Sequence, residues 1–355
     1  SGNTTLSSTG TVTQSAAITA AGLELLGTGG IYTLTNTSNA ITTLAGNTGT
    51  VSFVENSGFA IGTVNTVGLT TTGNTTLNVN GTVTQSNLIN VAGLELLGSN
   101  GTYTLTNTSN AVTTLAGNTK AVSLTENSGL AIGTVNTIGL TASGNITLTV
   151  NGTVTQDQIV AAAGLELLGS NGTYTLTNTG NNITTLAGNT KIVSFAGNSG
   201  FAIGTVNTAG LTTSGNTTLS STGTVTQSAA ITAAGLELLG TGGIYTLTNT
   251  SNAITTLAGN TGTVSFVENS GFAIGTVNTV GLTTSGNTTL SSTGTVTQSA
   301  AITAAGLELL GTGGIYTLTN TSNAITTLAG NTGTVSFVEN SGFAIGTVNT
   351  VGLTT

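Results

Sequence analysis

Gly22-Leu23-Glu24-Leu25-Leu26-Gly27 decides the fold, because the same phrase returns at Gly93, Gly164, Gly235 and Gly306, always at the same interval. The 355 residues are five 71-residue repeats, 1–71, 72–142, 143–213, 214–284 and 285–355, with no gap between them. The copies beginning at Ser1, Ser214 and Ser285 are identical, and those beginning at Thr72 and Ser143 differ by scattered substitutions. A fixed long period marks a stacked array in which each unit buries its core against the next. The five repeats are therefore expected to form one continuous body. Within the phrase, Leu23 and Leu25 alternate with Glu24, which is the pattern of a strand with one buried face.

Working outward, Tyr32-Thr33-Leu34-Thr35-Asn36, Val51-Ser52-Phe53-Val54-Glu55 and Thr75-Thr76-Leu77-Asn78 show the same alternation. Their central residues Leu34, Phe53 and Leu77, with Leu105 as the next equivalent, are spaced to suggest about three coils per 71-residue repeat. Second strands are expected at Ile41–Leu44, Phe59–Val64 and Gly81–Gln85, and third strands around Leu69 and Leu94. In the shortest coil the third strand shrinks to a corner at Ala45-Gly46-Asn47. Between them lie Asn-Ser-Gly, Gly-Asn-Thr and Gly-Thr-Gly-Gly, residues that turn the chain at low cost. Thr, Gly, Asn, Val and Ser are poor or mediocre helix formers. The expected fold is all-β, a parallel β-solenoid. Leu23, Leu25, Tyr32, Leu34, Phe53, Phe59 and Ile61 are its expected core. Phe53 and Phe59 become Leu124 and Leu130 together in the second copy, as two side chains sharing one core layer would. Stacking at about 4.8 Å per coil gives roughly 14 Å per repeat and 70 Å for five.

Composition narrows the function. Charged residues are only 3%, yet Thr, Val and Ile are plentiful, so the chain is built for half-buried strands rather than for disorder. Proline is absent, which suits strands that need every backbone donor. Without Cys or His there is no disulfide and no thiolate or imidazole metal site. With Lys120 and Lys191 the only basic residues, phosphate backbones find almost nothing to bind, so nucleic acid is not an expected partner. No apolar run reaches the ~18 residues of a membrane-spanning helix. The same two lysines leave trypsin-like proteases little to cut, which fits life outside a cell. The segment starts and stops on repeat boundaries and shows no visible end cap, so an excerpt of a longer chain is expected.

The residues able to carry chemistry recur once per repeat. Glu24, Glu95, Glu166, Glu237 and Glu308 form one set; Glu55, Glu126, Glu268 and Glu339 form a second, interrupted by Gly197. Glycoside hydrolysis needs two carboxyls about 5–10 Å apart in one cleft. Repeated lone glutamates read instead as a solvated surface. Calcium repeats carry an acid at every turn, whereas here Asp157 is the one aspartate. No catalytic, cofactor or metal residue is therefore assigned. Asn36, Asn107, Asn178, Asn249 and Asn320 never vary, nor do Gln14, Gln85, Gln156, Gln227 and Gln298; both sets are expected to form amide ladders. Thr-x-Thr pairs such as Thr11-Val12-Thr13 fall on different sides of the coil and do not build one flat ice-binding face.

Gly-Thr-Val-Thr-Gln, Gly-Leu-Glu-Leu-Leu-Gly, Tyr-Thr-Leu-Thr-Asn, Thr-Leu-Ala-Gly-Asn-Thr and Ala-Ile-Gly-Thr-Val-Asn together resemble the repeats of giant bacterial surface proteins of the filamentous haemagglutinin type. The resemblance runs through all five repeats. It implies a right-handed β-helix, secreted unfolded and folded outside the cell, with roles in adhesion, aggregation or biofilm matrix. The function expected is a rigid, protease-resistant extracellular fibre or stalk. Its partners would be further copies of the repeat along the fibre and neighbouring fibres laterally. The alternative is an adhesin whose repeated surface binds glycans or a cell-surface receptor.

Overall fold

Alternate side chains of each strand enter a shared interior, and the chain coils to keep them there. The computed structural model describes residues 2–355; Ser1, which opens the first repeat, lies outside them. The described chain is all-β without a helix and forms a parallel β-solenoid of about 17 turns. It divides into two compact units, Ser1–Ile183 and Thr184–Thr355.

In the first unit, Thr19–Leu34 lies in parallel register beneath Ala40–Glu55, with Leu23 opposite Leu44 and Leu34 opposite Phe53. The next turn is supplied by Gly58–Ile61 and Leu69–Val79, and the one after by Thr82–Gln85 and Ile89–Leu105. Their ladders are parallel as well. In the second unit, Ile231–Leu247, Ala253–Val267, Leu282–Thr284 and Ile302–Leu318 repeat this arrangement. Parallel stacking lets each turn pair its backbone with the turns below and above.

Leu23, Leu25, Tyr32, Leu34, Phe53, Phe59 and Ile61 are all buried. Phe53 and Phe59 meet edge to face with ring centroids 5.4 Å apart, and Leu124 and Leu130 are buried in their place one repeat later. The Tyr32 hydroxyl donates into the core wall, 2.6 Å from the Leu26 carbonyl oxygen. Burial pushes the equivalent Tyr103, Tyr174, Tyr245 and Tyr316 hydroxyls well above the ordinary phenol range.

About 17 turns for five repeats means that each repeat supplies more than three. The register shows where the excess lies. Val12 pairs with Tyr32, Tyr32 with Val51, Val51 with Thr75 and Thr75 with Leu94. Thr75 is the copy of Thr4, and Leu94 the copy of Leu23. Yet Thr4 and Leu23 stand in a different column, which continues to Leu44. One repeat occupies three turns and a fraction of the next, and two repeats make about seven turns: the column of Leu23 runs through Ile61 and Gln85, and that of its copy Leu165 runs through Phe59 and Val83, two residues earlier in the same strands. Tyr245, Val264, Thr288, Leu307 and Leu328 show the same step in the second unit.

This offset corrects three local expectations. Leu77 stacks on Phe53 but continues to Leu96, not Leu105, because the repeat does not close after whole turns. Ala45-Gly46-Asn47 is no corner but the middle of the strand Ala40–Glu55. The strand expected over 59–64 stops at Ile61, and residues 62–68 leave the wall as a loop.

Candidate functional site

The loop over 62–68 forms because two glycines close its neck. The Gly68 N–H donates to the Gly62 carbonyl at 2.8 Å, and Thr63 and Val67 make an antiparallel bridge above them. Gly68 has φ +75°, and a Cβ there would lie 2.3 Å from the Leu88 carbonyl oxygen, so neither the backbone angle nor the space admits a side chain. The loop bends down across the wall. Val64 then lies so close to Gly22 that a Cβ on Gly22 would be 2.8 Å from it. Gly22 and the stretch Gly62-Thr63-Val64-Asn65-Thr66, far apart in sequence, are thus two halves of one contact.

Glu24 is what the loop holds. The Thr66 N–H and hydroxyl donate to its Oε1 at 2.5 and 2.7 Å, and the Asn65 N–H to the same oxygen at 3.2 Å. The Asn65 side-chain amide and the Thr5 hydroxyl donate to Oε2 at 2.7 and 2.8 Å. Thr5 stands one turn below Glu24, Ala45 one turn above, and the loop arrives from the turn beyond. Glu24 and Ala45 point away from the core, yet they are only 1% and 0% exposed because the loop roofs them. Burial pushes the Glu24 carboxyl upward, but the donors on Asn65, Thr66 and Thr5 outweigh it and hold it at about 2.

The clasp recurs. Glu95 takes Thr76, Asn136 and Thr137; Glu237 takes Thr218, Asn278 and Thr279; Glu308 takes Thr289, Asn349 and Thr350. All three carboxyls are again drawn below their ordinary value against the opposing effect of burial. Glu166 is equally buried and accepts from Thr147 at 2.9 Å.

The second glutamate set points inward. Glu55, Glu126 and Glu268 are each 0% exposed. Glu126 accepts the Ser128 N–H and hydroxyl on one oxygen, both at 2.7 Å, and the Val112 N–H on the other at 2.8 Å. Glu55 accepts from the Ser57 hydroxyl, while its Oε2 has no partner among the described residues. Burial raises the Glu55 carboxyl, and the bonds from Ser57 and Gly58 do not offset it. Apart from the half-exposed Glu339, both glutamate sets therefore depart from the expected solvated surface: one is roofed by a loop, the other is part of the core.

The expected amide ladders also differ in detail. Gln14 and Asn36 do meet, the Gln14 carbonyl oxygen accepting the Asn36 N–H at 3.0 Å. However, the amides bracket one corner instead of stacking on their own kind. The same Gln14 oxygen accepts from the buried Asn39 side chain at 3.1 Å, and Asn39 also donates to the Leu34 and Val54 carbonyls. The Asn36 side chain accepts the Ser38 N–H within its own turn. Gln85 with Asn107, Gln156 with Asn178, Gln227 with Asn249 and Gln298 with Asn320 repeat the bracket.

Sequence reasoning passed over Asn39, Asn65 and Thr66. Asn65 and Thr66, like Glu24, are the same in all five copies, which was the available signal. Among the described residues, no group of three or more His, Cys, Asp or Glu is placed to hold a metal ion, and no helix is long and apolar enough to cross a membrane.

The chain matches no family model, and no curated protein and no solved structure matches it. The likeness to haemagglutinin-type repeats rests on the quoted phrases alone.

Proposed function

We propose that this chain is a structural element, the shaft of a secreted fibre or stalk of the kind bacteria carry on their surface or lay down in a biofilm matrix. The observation that carries this reading is where the charge goes. Eight glutamates, from Glu24 to Glu308, are at most 1% exposed and are consumed inside the wall. Among the described residues the exposed charged side chains are Lys120, Asp157 and Lys191. Most of what else faces water is Thr, Ser, Asn, Gly and Ala. Such a surface offers few charged groups and little repulsion between neighbours. Lys120 and Lys191 lie within the strands Ala111–Glu126 and Asn182–Gly197, where paired backbone resists a protease that needs an extended, free segment.

The test is digestion with trypsin and proteinase K beside electron microscopy of the undigested protein. Intact full-length chain after prolonged digestion, in fibres, is the expected result. Rapid cleavage at Lys120, or dispersed particles only, sinks the reading. Bundling should also change little between ~0.05 and ~1 M salt, because few exposed charges are available to screen.

One observation favours the adhesin reading as the alternative. A small recess lined by Thr33, Thr50, Ser52, Asn74, Thr76 and Asn136 recurs with the equivalent residues in the second unit. Its hydroxyls and amides suit a glycan. Saturable glycan binding whose avidity grows with repeat number would select this reading over a passive shaft.

A further inference from the structure

The clasp uses Asn65 and Thr66 but not the residue after them. Val67 turns outward and is 56% exposed; Ile138 and Val280 in the same place are 67% and 74% exposed. A β-branched apolar side chain is thus held out in water at the tip of a loop whose neck is rigidly closed. Keeping it there forgoes the gain of burying an apolar side chain.

The same wall carries an uncharged recess. In the first unit it measures about 650 Å³, with Ala40, Ile41, Phe59, Ala60 and Thr82 among its lining. In the second unit the equivalent measures about 740 Å³ and includes Ala253, Ile254, Phe272, Ala273 and Thr295. Ile254 and Phe272 are buried beneath it, and Ala253 and Ala273 are open at its mouth.

We propose that the Val67-type tip seats in this recess on a second copy of the chain, forming the lateral contact between neighbouring shafts. The inference rests on the fibre reading and names its contact. Charge favours a second copy, since no charged residue lines either recess and the tip has none. A charged partner would find no complement on this face. Area points the same way. One tip buries on the order of 100 Å², against about 800 Å² per partner in a stable interface. A small globular partner meeting one tip would not stay. A second copy, presenting more than one recess to more than one tip, gains avidity with every contact added.

Ile61 stands in the column of Leu23 and Ile132 in that of Tyr32, so the tips that follow them, at Val67 and Ile138, leave different sides of the turn.

The chain has no cysteine, so a disulfide can report the contact. Val280→Cys on one chain and Ala273→Cys on another are mixed and oxidised, with Asn260→Cys, exposed on a different strand, as the control partner. Linked chains should form with Ala273→Cys several-fold more often than with Asn260→Cys. The combined variant Val67→Asn, Ile138→Asn, Val280→Asn, shown by circular dichroism to keep its strand signal, should need about tenfold or more protein to associate. Equal linking at Ala273 and Asn260, or unchanged association of the tip variant, overturns the contact while leaving the fibre reading standing. Parent chains that neither associate nor form fibres overturn both.

Discussion

Glu24 and Glu55 are the same residue type within one repeat, and they bear on stability with opposite sign. Glu24 sits in a cage of donors and its carboxyl is held at about 2, below the ordinary 4.5. Its ionised form therefore stabilises the fold above pH 4.5, and this contribution drains away as pH falls from there through 2. Glu55 is pushed upward by burial. It costs stability at neutral pH, and the cost disappears as acid protonates it. Urea unfolding followed by circular dichroism should separate them. Glu237→Gln, in the clasp of the second unit, should lose about 2–3 kcal/mol at pH 7, because the amide nitrogen turns a donor toward donors. Glu55→Gln should be neutral or stabilising at pH 7, and Gly197 already shows that this position tolerates loss of the carboxyl. Equal losses for the two variants would contradict this account. None of the contrast was legible in the sequence. Alternation correctly turned Glu24 outward, but nothing local shows that a loop from two turns further on will cover it.

The loop over 62–68 is where reading by pattern failed for a physical reason. Phe59-Ala60-Ile61-Gly62-Thr63-Val64 has the composition of a strand, and through Ile61 it is one. Gly62 and Gly68 then close a neck that takes Thr63 and Val64 off the wall. A glycine pair spaced for a neck looks, in one dimension, like any other pair of turn residues. What separates them is the space around each. Gly281, the copy of Gly68, has φ +78°, and a Cβ added to it would lie 2.3 Å from the Ala301 carbonyl oxygen. Gly242 has a like φ of +79°, but a Cβ there would meet no atom within 4 Å. Gly281→Ala should therefore cost about 1–3 kcal/mol and release the clasp on Glu237, whereas Gly242→Ala should cost about 1 kcal/mol. Hydrogen exchange at the Asn278 and Thr279 amides, which donate to Glu237, should accelerate in the first variant only. Comparable exchange in both would show that the neck does not govern the clasp.

For the solenoid as a whole, the 71-residue period and the inward alternation were enough to give the parallel coil and its core. They missed the fraction of a turn. Leu34, Phe53 and Leu77 stack as their spacing suggests, but no residue count reveals that Leu77 continues to Leu96, because that depends on where loops leave the wall. The fraction makes a measurable difference. Three turns and a fraction, at about 4.8 Å per turn, make up one repeat, and the same side returns after two repeats, about 34 Å. Diffraction from aligned material should show a spacing of about 4.8 Å with a long period of about 34 Å. A true axial repeat of about 14 Å, the height of three stacked turns, would mean that the register closes after three whole turns. The displacement also makes the number of repeats an angular setting. Removing one copy from such an array, a ready event between the identical copies at Ser214 and Ser285, shortens it and also turns whatever lies beyond to a different side. Changes of two copies at a time alter the reach and keep the side, so length variants of this design would sort into two orientations.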